Sequence, residues 1–567
     1  MITTALLNST RSKIILASSI PIVSYYTYET NVNLNRTISF WSNALPAYAS
    51  YRAIQRRNEF FQNESNPTLL RTVFGLSNAK ADEEYEKLHD YFSPIIEKQV
   101  NEQRGFYIKH AQFLSTRDDF LPEQYLRWTK LTQDKAPTAM KRGEAREIVK
   151  ESLRGSKYED EIEWFDDDAV GVASIGAVHR CKLKSFPKPV IVKVQADEVE
   201  GRFRNDVGTM ILFLQIFQPQ HVPPLKEVQR KFMEEFDYRV EAKNLRDCKN
   251  MIDKSVFRKR VKIPEPIEEL CSKRVLFMEE IEGVPLVKGV QDSYKRFCDA
   301  QKIDTVKSVS ANEKGDDSDA NKSTTTIDIA MRQTRRVNAM IRLKSILIDE
   351  PMRLAYNLSP MRILYGKRER KQLATLVNLA DVLQTMLDVH AYQIFECGVF
   401  NGDPHPGNIL LMNDGRLGLI DYGQTVRIPE HTRLSYAKLI LAILNDDKQE
   451  VANIVWSDEP KGFGGRTKNA CVETAFRLAT FWNDRDTKDI TEGMNLQAFI
   501  DEMEARDPMI ETPRQMVMIS RASVLLRGMG NAFDMRIRVA EAWREHAVKL
   551  LKSTEPDYYL LRSENEV

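Results

Sequence analysis

The chain has 567 residues, which is long for one compact domain and points to two lobes or two domains. It is 42% hydrophobic and 29% charged, enough to bury a sizeable core, and a formal net charge of +1 gives no sign of nucleic-acid binding. Six cysteines (Cys181, Cys248, Cys271, Cys298, Cys397 and Cys471) stand without CxxC pairs, the pattern of free thiols in a reducing compartment rather than of a disulfide framework.

From Met1 to Tyr28 there is no acidic residue, and Arg11 and Lys13 are the only charges among several Ser and Thr. Ile14 to Tyr28 is apolar but contains Pro21 and falls short of the roughly 20 residues of a bilayer span. Residues 1–28 are therefore expected to direct the protein to an organelle or to hold it at a membrane surface, a soluble N-terminal helix being the alternative. Apolar and aromatic residues fill about 31–56, and Glu83 to Leu114 has helical periodicity. Val170 to Gln195 reads as strand, turn, strand, with Pro187 and Pro189 at the connection. Glu227 to Met251 reads as one charged amphipathic helix, and Arg274 to Ile281 as a strand. Ser308 to Thr326 is polar and of low complexity, and a disordered insertion is expected there. Helices resume near Ile327. Leu373 to Val399 reads as a long helix, Arg433 to about Leu551 as helical, and the tail is polar. The order is helices, a small β-rich section, then a large helical section with an acid-bearing hairpin. That is the α+β order of a two-lobed kinase with an added helical N-terminal extension.

The hairpin carries the chemistry. "GVFNGDPHPGNILLMNDGRLGLIDYGQ" (Gly398 to Gln424) places Asp403 and Asn408 five residues apart on a Pro/Gly-rich loop, and Asp421 after a turn. Kinases order a base, a metal-binding Asn and a metal-binding Asp in this way, and Mg²⁺ prefers such hard oxygen ligands. Turn residues making ordinary Asx turns, or a site built on His405, are the alternatives. Upstream, "VIVKVQ" sets Lys193 in an alternating strand, and the next helix offers Glu234, Glu235 and Glu241 as partners. No G-x-G-x-x-G precedes Lys193; the segment there is "GVASIGAVH".

Several blocks in order resemble the UbiB family of atypical kinases (AarF-domain or ADCK-type) over roughly Arg104 to Gln424: "IKHAQFLSTRDDFLPEQYLRWTKLTQDKAPT", "VASIGAVHRCKL", "VIVKVQ", "EEFDYRVEAKN", "VLFMEEIEG" and "GVFNGDPHPGN…LIDYG". The resemblance implies a protein-kinase-like fold whose Lys-x-Gly-Gln helices cover the acceptor site. It divides the chain into a targeting or membrane-surface segment (1–28), a helical extension (29–160), an N-lobe (161–285), a C-lobe (286–540) and a tail (541–567). It implies Lys193 as the nucleotide-binding lysine with Glu241 as partner, and Asp403 as the catalytic acid with Asn408 and Asp421 on the metal. Ala173 and Ser174 fall in the phosphate-covering loop, Met278, Glu279, Glu280 and Ile281 in the hinge that meets adenine. Lys109 and Gln112 form the signature, with Glu235 as the partner of Lys109. ATP and Mg²⁺ are the implied cofactors. The implied setting is the mitochondrial inner membrane or another organelle membrane, with lipid or protein partners in lipid or quinone metabolism. The chain departs from the family pattern at Ala111 (for Gly), Ala177 (for Gln), Asn401 (for His) and Tyr422 (for Phe). A nucleotide-binding pseudokinase scaffold and a small-molecule kinase are the competing expectations.

Overall fold

The computed structural model describes residues 32–62, 78–114, 122–131, 140–154, 156–173, 175–197, 199–219, 222–301, 323–369, 373, 375–494, 496–556 and 558. The N-terminal segment 1–28 and Ser174 lie outside these. Among the described residues, no helix is long and apolar enough to cross a membrane, and all six cysteines are free.

Among the described residues, the extension opens with the helices α1 (Val32–Gln62), α2 (Asn78–Gln103), α3 (Gly105–Leu114) and α4 (Glu123–Leu131). The periodic stretch expected over 83–114 is broken at Arg104, which sits at φ 56°. After α5 (Glu144–Ser152) comes a five-stranded antiparallel sheet in the order β1 (Ile162–Phe165), β3 (Gly176–Leu183), β4 (Val190–Gln195), β6 (Val275–Glu279), with β2 (Gly171–Ala173) paired to β3. Alternation buries Ala177, His179, Cys181 and Leu183 of β3 against α5 and its neighbours. A Cβ on Gly176 would lie 1.9 Å from the Val194 carbonyl oxygen, so only glycine lets β3 approach β4 there.

Between β4 and β6 run α6 (Val199–Phe217), α7 (Val222–Glu234) and α8 (Tyr238–Lys254). The single helix expected over 227–251 is thus two. Asp237 leaves the helical region and its carboxylate accepts from the Arg239 amide at 3.1 Å, starting α8 afresh. Aromatic rings weld the extension to this lobe: Phe106 meets Phe203 (5.5 Å between centroids), and Phe203 meets Phe236 (5.2 Å). Arg36 and the buried Asp206 add an ion pair, with Nε to Oδ1 at 2.9 Å.

The larger lobe contains a second sheet, in the order β5 (Val261–Lys262), β10 (Leu417–Leu419), β9 (Ile409–Met412), β7 (Gly283–Pro285), and the pair β8 (Val399–Asn401) with β11 (Thr425–Arg427). Its helices are α9 (Leu286–Gln301), α10 (Ser323–Lys344), α11 (Leu379–Ala391), α12 (Glu430–Leu444), α13 (Lys448–Trp456), α14 (Val472–Asn483), α15 (Leu496–Arg506), α16 (Arg514–Ala532) and α17 (Val539–Thr554). A short strand pair, β12 (Arg466–Thr467) with β13 (Met509–Glu511), interrupts the stretch expected to be helical throughout. The insertion expected to be disordered to 326 gives way to helix at Ser323; the rest of it lies outside the described residues. The helix expected from 373 begins at Leu379, where the Asn378 side chain accepts from the Asp381 amide at 3.2 Å. It ends in a π turn (Tyr392–Cys397), and Gly398 at φ 70° turns the chain into β8. The expected tail from 541 begins instead as a core helix. Trp543 of α17 is fully buried, packs its ring on Phe395 and Tyr436, and donates to the Leu387 carbonyl at 3.1 Å.

Candidate active site

The site lies where β4 and α8 of the smaller lobe face the β8–β9 loop and the end of β10. Lys193 is central in its sheet, paired to Val178 on one side and Leu276 on the other. Its Nζ lies 2.6 Å from Glu241 Oε1, and both side chains are buried, 6% and 5% exposed. The same nitrogen lies 3.5 Å from Asp421 Oδ2, and Asp421 is 35% exposed. One ammonium therefore faces two carboxylates. Burial pushes the Glu241 carboxyl up to about 7; Lys193 opposes this, and the Asp421 charge adds to it. Burial works against the Lys193 ammonium, but Asp421 and Glu241 together raise its pKa. The Lys193 shift thus comes from the two carboxylates beside it, and the Glu241 shift first from burial.

The loop geometry follows from local hydrogen bonds. Asn401, at the end of β8, accepts from the Asp403 amide at 2.9 Å and donates to the Asp421 carbonyl at 2.9 Å. It thus ties the two acid-bearing segments together, with no imidazole required. His405 accepts from the Gly407 amide at 3.0 Å and shapes the turn (Pro406–Asn408) that delivers Asn408 to the base of the hairpin. There the Asn408 carbonyl accepts from Ile420 at 3.2 Å, which sets Asn408 across from the residue before Asp421. Asp421 accepts from the Gly423 amide at 3.0 Å, and Tyr422 is fully buried. Among the described residues, no group of three or more His, Cys, Asp or Glu forms a candidate metal cluster, so His405 heads no such site.

Asp403 sits in a second network. Arg521 of α16 reaches Asp403 Oδ1 at 3.2 Å and also bonds Gln424. Gln424 donates to Asp403 Oδ2 at 3.3 Å and to the buried Glu235. Glu235 lies at the break between α7 and α8. Lys109 and Gln112 lie on α3, but their side chains are outside those described, so the expected Lys109–Glu235 pair falls there too. Ala173 ends β2 opposite Gly176, and Ser174 follows it outside the described residues. At the hinge, Met278 and Ile281 are buried. The side chains of Glu279 and Glu280 are turned to Lys262 and, at 2.9 Å, to Arg180.

Sequence reasoning missed Arg521 and Gln424 as members of the site. Gln424 stands three residues after Asp421 and was open to inspection; Arg521 is 118 residues from Asp403, and nothing in its helical surroundings marks it.

The family model described as "ABC1 atypical kinase-like domain" matches residues 131–311 and 362–455. The chain carries an atypical kinase-like domain of the ABC1/AarF family, to which UbiB belongs. Its α+β, two-lobed architecture is that of a kinase-like fold. Among curated proteins, the chain is 26% identical over 356 residues to "Protein ACTIVITY OF BC1 COMPLEX KINASE 1, chloroplastic" of Arabidopsis thaliana, covering 61% of this chain and 40% of that one. It is 24% identical over 450 residues to "AarF domain-containing protein kinase 1" of Gallus gallus, 76% of this chain and 69% of that one. A shorter match, 31% over 192 residues, joins it to "Probable protein kinase UbiB" of Histophilus somni, 32% of this chain and 34% of that one. The first of these relatives is matched over less than half its length.

Proposed function

We propose that this chain binds Mg-ATP between its lobes and acts as a phosphotransferase or ATPase supporting coenzyme Q or lipid homeostasis at a mitochondrial membrane. The observation that carries the reading is the convergence of Lys193, Glu241 and Asp421 within 3.5 Å of the shared ammonium. A surplus of carboxylates around one lysine suits a divalent metal ion, which would supply the missing positive charge and carry with it a polyphosphate with its transferable phosphoryl group. Lys193, fixed by Glu241, would hold phosphate oxygens. Asn408 and Asp421 would offer the metal their side-chain oxygens. Ala173 and Ser174 would close over the phosphates, and the main chain of Met278 to Ile281 would meet the base. Asp403 would orient the acceptor and take its proton. Lys109 and Gln112 would close the acceptor side, with Glu235 as the partner of Lys109. The mitochondrial setting and the quinone or lipid link rest on the family resemblance and on the acid-free start at residues 1–28; a relative named chloroplastic belongs to the same family.

A second reading, a pseudokinase scaffold, is favoured by one observation: both oxygens of Asp403 are already engaged, by Arg521 and by Gln424. Phosphate release from Mg-ATP by the purified protein, with and without cardiolipin-containing vesicles and phenolic quinone precursors, separates the two. Nucleotide-induced thermal stabilisation without release under any of these conditions is the outcome of the scaffold.

A further inference from the structure

Helix α10 continues through a π turn (Ser345–Asp349) into a further helix (Glu350–Leu358), making a rod of about 54 Å at 1.5 Å per residue. Its base is fixed. Ile327 is buried, Arg335 pairs with Asp381 at 3.0 Å, and Asn338 exchanges two hydrogen bonds of 2.8 Å with Leu376. Beyond Asn338 the rod stands clear of the lobe. The chain turns back through Met361–Tyr365 and Gly366, which takes φ 79°, and Arg368 then exchanges two hydrogen bonds of 2.9 Å with Asn357 and stacks 3.8 Å over Tyr356. The tip is thus a closed, self-supported turn.

That tip exposes what a protein ordinarily buries. Ile346, Leu347 and Ile348 are 63%, 63% and 49% exposed, and Leu358 and Ile363 are each 88% exposed. Three consecutive residues of a helical turn leave the axis in different directions, so the apolar surface wraps more than one face. A helix apolar around much of its girth calls for an apolar surrounding rather than water. Charge points the same way: residues 335–369 hold eight basic and three acidic residues, a net +5 in a chain whose total is +1. The matched family segments stop at 311 and resume at 362, so the rod is an addition between them.

We propose that this arm, residues 339–369, docks the protein on an anionic lipid bilayer. The apolar tip enters the headgroup–acyl boundary, and Arg342, Lys344, Arg362 and Lys367 sit at the level of the lipid phosphates. A protein groove would take one face of a helix; an interface takes apolar side chains exposed on more than one face and flanked by basic residues at both ends. The arm extends from α10, whose base is held to α11, and α11 leads to the β8 loop, so a docked arm fixes which side of the larger lobe faces the membrane. The inference shares with the proposed function only the membrane setting, and vesicle binding is read without nucleotide, so either can fail alone.

Co-flotation of the full chain decides it, with phosphatidylcholine vesicles and with equal-part phosphatidylcholine–phosphatidylglycerol vesicles. The wild type should float with the anionic vesicles at least tenfold better than with the neutral ones, and less as salt rises. Leu347→Ser/Leu358→Ser/Ile363→Ser should lose at least tenfold. Arg342→Gln/Lys344→Gln/Lys367→Gln should erase the preference for anionic lipid. All six positions are solvent-facing, so both variants should keep the wild-type melting temperature. In a separate variant, Tyr365→Trp should be quenched by bromine-labelled acyl chains. Wild-type flotation by both triple variants, or an unquenched Trp, overturns the proposal. So does flotation that depends wholly on residues 1–28, or a lipid-free dimer that the serine variant dissociates.

Discussion

On one side of Gly423, Lys193 faces the carboxylates of Glu241 and Asp421; on the other, Arg521 and Gln424 engage both oxygens of Asp403, and Gln424 also reaches the buried Glu235. The seam is narrow. A Cβ on Gly423 would lie 3.4 Å from both Asp421 Oδ1 and Glu235 Cγ, and 3.7 Å from Glu241 Oε2. The first side behaves as a receptor for added positive charge. The second is already complete and must open before Asp403 can receive an acceptor's proton. The difference separates binding from turnover, and each can be perturbed alone.

Asp403→Asn gives the largest expected effect. In the role proposed for Asp403 it would remove the proton acceptor, so phosphate release should fall about 100- to 10,000-fold while Mg-ATP affinity stays within about twofold. An equal loss of affinity, by calorimetry, would merge the two sides and defeat the distinction. Lys193→Met strands the buried Glu241 and should destabilise the protein by about 3 kcal/mol in denaturant unfolding. Adding Glu241→Gln should recover part of that loss, because the stranded charge goes with it. Asp421→Asn leaves the buried pair in place and removes the exposed ligand. The stabilisation by Mg-ATP should drop by about 1–3 kcal/mol, with turnover falling in parallel. An unchanged thermal shift would remove Asp421 from the metal.

The smallest effect is in the pH profile. Glu241 is raised in the fold, from an ordinary 4.5 to about 7. A raised carboxyl binds protons more tightly in the fold than in the unfolded chain. Its contribution is therefore complete below about 4.5 and is lost as pH climbs through about 7. Nucleotide-free stability should fall across that window by an amount on the order of 1 kcal/mol, and Glu241→Gln should flatten the limb. A limb that persists in the variant would place its origin elsewhere.

The parts of this site that the sequence displays are those set by short spacing. Asp403, Asn408 and Asp421 share one loop and hairpin, and Lys193 sits in a strand whose alternation is visible. The kinase-like order of helices and strands was legible for the same reason, since most of each lobe is contiguous; β5, which joins the larger lobe's sheet from within the smaller lobe's stretch of chain, is the exception. The break at Glu235–Asp237 was not, because the apolar periodicity runs across it and only the Asp237 cap interrupts the backbone. Arg521 was invisible because its role depends on α16 lying against the β8 loop, where a Cβ on Gly402 would come within 3.4 Å of Met518 Cε. The exposed arm was equally hidden: its residues read only as helix resuming near Ile327, and helical periodicity does not say whether a core covers them.

The Asn401 side chain spans the Asp403 amide and the Asp421 carbonyl, each at 2.9 Å, and so makes the larger lobe's half of the cleft a single stiff plate. A stiff plate cannot breathe to admit or release nucleotide. Under the proposed function the swing would come from the smaller lobe, pivoting near Met278 to Ile281 and carrying Lys193 and Glu241 as a bonded pair. The 3.5 Å Lys193–Asp421 contact then works as a latch: it parts when the lobe swings out and re-forms when it returns. Release of spent nucleotide would therefore be paced by lobe rotation, and would slow in viscous solvent even where the chemistry itself is unchanged.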